Sequence, residues 1–178
     1  MEPFKVIIVE DVPLELKGTE GIFKNEIPEA EIIGTAESET SYWRLIKQQV
    51  PDLVLLDLGL GGSTTIGVEI CRQTKETYPA LKVLIFTGEI LNEKLWVDVL
   101  DAGCDGIILK SGELLTRGDV ASCMSGKKMV FMEHHQHLRL QGKRHFQQFL
   151  RLQQQGIPRS RSHRPEIMSS LPLRGQQP

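Results

Sequence analysis

Between Pro51 and Gly59 four apolar residues, Leu53, Val54, Leu55 and Leu56, run without a break and stop at a carboxylate, Asp57. A run this short, bounded by Pro and Gly, suits a strand buried on both faces. Such strands belong to parallel sheets with helices on either side, and those sheets place their ligand sites beyond the carboxyl ends of the strands. Asp57 is expected at that edge. An Asp after a buried strand is also a common helix N-cap, and the stretch taken alone favours that reading.

Similar strands elsewhere shift the balance. Phe4–Val9 is rich in β-branched residues and ends in two acids, Glu10 and Asp11. Pro13 then sits where a helix starts, with Asp11 as its expected cap, and Leu16, Thr19, Ile22 and Phe23 stripe that helix to about Asn25. Residues 31–36 form a weaker strand, and a helix over 39–49 follows, ended by Pro51. After Asp57 comes a loop of Gly, Ser and Thr from Gly59 to Thr65, then a helix from about Ile66 to Thr77. Leu81–Phe86 is the fourth strand and ends in Thr87-Gly88. A helix over 91–101 stops at Gly103, and Gly106–Leu109 is a short fifth strand ending in Lys110. A last helix is expected from Glu113 to about Ser125. Five strands alternating with five helices predict an α/β fold: a five-stranded parallel sheet, doubly wound and flavodoxin-like, with helices on both faces.

Charge divides the chain. The net charge is −2, yet residues 133–178 hold eight Arg and Lys against two Glu, net +6, leaving −8 for residues 1–132. All five His also lie after residue 132. The shift predicts a folded domain over residues 1–126, then a linker and a basic, Gln/His/Arg-rich tail over 127–178 whose composition favours disorder. In the tail, Leu138, Leu140, Phe146, Phe149, Leu150 and Leu152 offer at most one amphipathic helix, over about 143–154. His134, His135 and His137 have no fixed geometry for a metal. Three scattered cysteines, Cys71, Cys104 and Cys123, form no disulfide framework and no metal-ligand spacing. No apolar run nears the ~20 residues that span a bilayer. The start lacks the basic and apolar regions of a signal peptide, so a cytoplasmic protein is expected, with no membrane partner.

Four of the five strands thus bring polar groups to one edge: Glu10 and Asp11, Asp57, Thr87 and Lys110. One such residue is usually a cap; four strands doing so are poorly explained as caps. Three carboxylates crowded together repel unless a cation lies among them, and oxygen ligands at a solvated edge suit Mg²⁺. A lysine and a hydroxyl opposite them suit an incoming phosphoryl group. Asp57, central among them, is placed to act as a nucleophile forming an acyl phosphate.

These residues, in this order and spacing, resemble the receiver domain of bacterial two-component response regulators. The matching pieces are Val9-Glu10-Asp11, Asp52–Asp57, Phe86-Thr87-Gly88 and Ala102–Lys110, over about residues 4–126, with the last piece most similar to regulators of the LuxR/NarL type. The resemblance implies that Asp57 accepts a phosphoryl group from the phosphohistidine of a sensor histidine kinase or phosphotransfer protein. It implies that Asp11 and Asp57 bind Mg²⁺, Glu10 through water, and that the Gly59 carbonyl is a further ligand. Lys110 would pair with Asp57 or its phosphate, and Thr87 would bond a phosphate oxygen once present. The domain would then shift between inactive and active conformations, as a signalling phosphoacceptor rather than an enzyme, with self-catalysed phosphorylation and autodephosphorylation. Receivers of this kind commonly pair, which makes a second copy of the chain a candidate partner.

Three features depart from the pattern. Ile107 stands where the family usually has an aromatic residue. The loop after Asp57 has Gly61 and Thr65 where Pro and Gly are usual, and the next glycine is Gly67, so the loop is about two residues longer and Gly61–Thr65 is expected to be mobile. No helix-turn-helix output domain is recognisable after Phe131. The alternative reading is a DNA-binding transcriptional regulator whose output lies in, or was lost from, the C-terminal region; the basic tail can contact nucleic acid through phosphate neutralisation. A hydrolase of the haloacid-dehalogenase type would want an acid two residues beyond Asp57, where Gly59 stands.

Overall fold

Strands with no polar face must be covered on both sides, and this chain covers them. The computed structural model describes residues 1–89, 92–110, 115–126 and 129–130. Five strands, β1 (Phe4–Val9), β2 (Ala30–Ala36), β3 (Leu53–Leu56), β4 (Lys82–Thr87) and β5 (Gly106–Leu109), alternate with five helices, α1 (Pro13–Glu26), α2 (Glu39–Gln48), α3 (Thr64–Thr77), α4 (Glu93–Asp101) and α5 (Arg117–Met124). The strands are parallel in the order β2-β1-β3-β4-β5, the doubly wound arrangement expected. A sixth strand, β6 (Met129–Val130), pairs in parallel with the outer edge of β5. It falls in the segment read as linker, where two residues are too few to show a period.

Alternate residues of each strand feed two separate cores. Ile7, Val9, Val54, Leu56, Val83, Ile85 and Ile107 pack with Tyr42 and Ile46 of α2 and with Val68, Ile70 and Cys71 of α3. Phe4, Val6, Ile8, Leu53, Leu55, Leu84, Phe86 and Ile108 pack with Phe23 of α1 and with Val120 and Cys123 of α5. Across the first core the Tyr42 hydroxyl and the Thr74 hydroxyl share a buried 2.7 Å hydrogen bond that ties α2 to α3.

Helix starts follow local hydrogen bonding more than periodicity. Pro13 opens α1 as expected, but the capping residue is Val12, with no side-chain cap; Asp11 is engaged elsewhere. Helix α3 starts at Thr64, earlier than its apolar stripe suggests, after a 3₁₀ turn over Leu60–Gly62. The loop expected to be mobile therefore contains a folded turn, anchored by buried Leu60. Helix α5 starts at Arg117 rather than 113, because Thr116 and Asp119 form a capping box there. Expectations for residues 131–178, including the helix over 143–154, fall outside the described residues.

Candidate functional site

The polar edge is assembled by the sheet. Strands β1 and β3 are neighbours at the point where strand order reverses, so the residues leaving them emerge side by side. Backbone bonds continue the ladder one step past the strands: Asp57 N–H donates to the Val9 carbonyl at 2.9 Å, and Lys110 N–H to the Thr87 carbonyl at 2.8 Å. These bonds fix where each side chain begins.

Glu10, Asp11 and Asp57 each offer a carboxylate oxygen, and the three lie within 4.8 Å of one another. Glu10 and Asp57 are buried, at 3% and 8% exposure, while Asp11 is half-buried. One oxygen of Asp57 accepts the Gly59 N–H at 3.2 Å, and one of Asp11 accepts the Gly61 N–H at 2.7 Å. The other oxygens, Asp57 Oδ1 and Asp11 Oδ1, are buried and accept no hydrogen bond. Buried carboxylate oxygens without partners are costly, and a cation between them would remove the cost. The donor set is all oxygen, at the rim of the sheet, and so fits Mg²⁺. The Gly59 carbonyl already accepts the Gly62 N–H at 3.3 Å, which leaves one of its lone pairs for a metal.

Lys110 is the counter-charge. Its ammonium donates to Glu10 Oε2 at 2.5 Å and Glu15 Oε2 at 2.5 Å, lies 3.6 Å from Asp57 Oδ1, and sits over the Phe86 ring, 5.5 Å from its centroid. Burial works against its charge, but the bonds to Glu10 and Glu15 and the attraction of Asp57 outweigh it and raise its pKa above the ordinary lysine value. Burial likewise raises the Glu10 carboxyl; the Lys110 bond and the Val12 N–H pull it back, and the Asp57 charge adds to the rise. Thr87 is fully buried at the end of β4, and its hydroxyl accepts the Glu89 N–H at 3.2 Å. It makes no hydrogen bond to the acids or to Lys110 among the described residues.

The structure thus gathers Glu10, Asp11, Asp57 and Lys110 into one contact network, with Gly59 attached to Asp57 and Thr87 on the neighbouring strand. Two site residues escaped the sequence reading. Glu15 lies in the first turn of α1, which starts two residues past Asp11, so it stays at the same end of the sheet. Glu89 crowds Gly59: a Cβ there would lie 2.9 Å from Glu89 Oε1 and 3.2 Å from Asp57 Oδ2. No pattern in the sequence marks Glu89.

A profile of the response regulator receiver domain matches residues 6–116 of the 178. The chain belongs to that family, a signalling domain of two-component systems. It is 29% identical over 127 residues to the response regulator protein VraR of Staphylococcus aureus (strain NCTC 8325 / PS 47), covering 71% of this chain and 59% of that one. A solved structure of the Salmonella typhimurium response regulator RcsB, concerned with its DNA interaction, is 25% identical with a TM-score of 0.63, covering 88% of this chain and 79% of that one. A LuxR-family regulator from Aurantimonas sp. SI85-9A1, 23% identical, shares the fold, with a TM-score of 0.66 and coverage of 80% and 99%. The first curated relatives are longer proteins: the matched stretch spans 37% to 59% of their lengths. No helix among the described residues is long and apolar enough to cross a membrane.

Proposed function

We propose that this receiver is a phosphoryl-accepting switch of the cytoplasm. An Asp57 oxygen attacks the phosphorus of a phosphohistidine on a sensor kinase or phosphotransfer protein; the N–P bond breaks and the imidazole leaves. The observation that carries this reading is Asp57 Oδ1, buried without a hydrogen-bond partner and 3.6 Å from the Lys110 ammonium. A nucleophile needs a free lone pair, and a cation beside it lowers the repulsion of an approaching anion. Asp11, Asp57, the Gly59 carbonyl and, through water, Glu10 would hold Mg²⁺, which when bound neutralises the acids and the transferring phosphoryl oxygens. Lys110 then bonds the phosphoryl group, and the Thr87 hydroxyl turns from Glu89 toward it. Catalysis here is positioning and charge neutralisation, which is why no general base is needed.

The test is intact-mass measurement after incubation with a small acyl phosphate. Wild type gains one phosphoryl adduct in Mg²⁺ and loses that gain when the metal is chelated, while Asp57→Asn gains none. An undiminished adduct on Asp57→Asn would refute the assignment. Output through DNA is the second reading, favoured by the DNA interaction of RcsB and the net +6 of residues 133–178. Salt-sensitive DNA retention that survives truncation after Phe131 would remove the tail from that role.

A further inference from the structure

In the resting protein Lys110 is held more closely by two glutamates than by Asp57. Its ammonium has three N–H donors, and the two short bonds to Glu10 and Glu15 occupy two of them. The two glutamates are not equivalent. Glu10 is buried, and its other oxygen is fixed by the Val12 N–H at 3.0 Å, so it cannot move with the lysine. Glu15 sits in the first turn of α1 with its side chain 48% exposed, and Lys110 is its one hydrogen-bond partner among the described residues. It reaches inward to hold the lysine and can turn outward into water at little cost. Asp57, meanwhile, has an oxygen with no hydrogen bond at all.

We propose that Glu15 is a positioning residue that sets the rate at which Asp57 is phosphorylated. It holds the Lys110 ammonium back from the acceptor in the resting protein and yields it when a phosphoryl group arrives. The inference rests on the reading of Asp57 as the acceptor. A phosphoryl dianion is a stronger partner for an ammonium than a half-exposed carboxylate, so the arriving group takes the lysine. Until then the third N–H is free, but the two short bonds hold the nitrogen 3.6 Å from Asp57 Oδ1, so it must stretch or leave the Glu15 bond to reach the incoming group, which raises the barrier. Removing Glu15 releases one of the two tethers, so the ammonium can follow the phosphoryl group while Glu10 keeps it at the site. A partly exposed contact of this kind is worth roughly a threefold to fivefold change in rate.

The experiment compares adduct formation on full-length wild type, Glu15→Ala and Glu15→Asp, with a small acyl phosphate and Mg²⁺, by intact mass over time. Aspartate keeps the charge but is one methylene shorter, which takes its oxygens out of reach of Nζ. Both variants are expected to react roughly threefold to fivefold faster than wild type. An unchanged or slower Glu15→Ala overturns the proposal. A fast Glu15→Ala beside a Glu15→Asp equal to wild type also overturns it, because charge alone would then account for the effect. Thermal unfolding supplies a second check. Glu15→Ala should shift Tm in the wild-type background and not in Lys110→Met; equal shifts in both remove the contact. If wild type takes no adduct, the acceptor reading falls and the rate role with it; an adduct whose rate ignores Glu15 overturns the proposal alone.

Discussion

A Cβ on Gly67 would lie 2.6 Å from Leu58 Cα and 2.9 Å from the Asp57 carbonyl oxygen. Helix α3 is therefore pressed against the backbone that carries Asp57, the proposed acceptor, and backbone cannot give way as a side chain tip can. Gly67→Ala should cost about 1–3 kcal/mol, seen as a lower Tm, and should slow adduct formation by moving Asp57. Gly18 on α1 is the control: its Cβ would meet nothing, so Gly18→Ala should keep or raise Tm. The sequence signals the displaced glycine, two residues later than the family pattern, but not what it touches. The site acids were legible because each ends an apolar run, and that pattern survives in one dimension. Glu15 was not, because an exposed glutamate in a first helical turn is favoured by the helix dipole whatever else it does. Only the placement of Lys110 beside it gives it a role.

At the scale of elements, the apolar runs located all five long strands, and the starts of α1 and α2 fell at Pro13 and Glu39 as read, while those of α3 and α5 did not. Helix α5 is the clearest case. Its expected start was Glu113, yet the Thr116 hydroxyl accepts the Asp119 N–H at 3.2 Å and the Asp119 carboxylate accepts the Thr116 N–H at 2.9 Å, a capping box that starts the helix at Arg117. Thr116→Ala should destabilise the protein by about 1 kcal/mol, measured by denaturant unfolding, because the first-turn N–H groups lose their acceptor. The effect should spread to the sheet, since Val120 and Cys123 of this helix cover its second core. Strand β6 was illegible for another reason: its pairing with β5 is main-chain bonding, which needs no particular side chain.

At the scale of the molecule, three acids of the described domain, Glu10, Asp11 and Asp57, lie within 4.8 Å of one another, and the single Lys110 charge offsets only part of a repulsion that a bound cation would relieve. Mg²⁺ should therefore raise Tm, by an amount corresponding to about 2.7 kcal/mol at a hundredfold excess over Kd. Asp11→Asn should abolish most of that rise and leave the Tm without metal unchanged or higher, since one repelling charge is gone. A Tm that ignores Mg²⁺ in wild type would count against a metal at this edge. The sequence indicated this balance in outline, because each of these residues follows an apolar strand; the distances among residues 10, 57 and 110, far apart along the chain, come only with the fold.

That distance also governs how the site comes into being. The bond from Lys110 to Glu10 joins residues 100 apart in the chain, and every strand pair is parallel, so none can form as a local hairpin. Such long-range closure is slow and comes late in folding. A nascent chain still emerging from the ribosome can show all three acids while lacking the lysine that completes them. On the proposed reading of Asp57, phosphoryl transfer then waits for the finished domain, and a phosphorylated chain would be one that has already passed its own folding test.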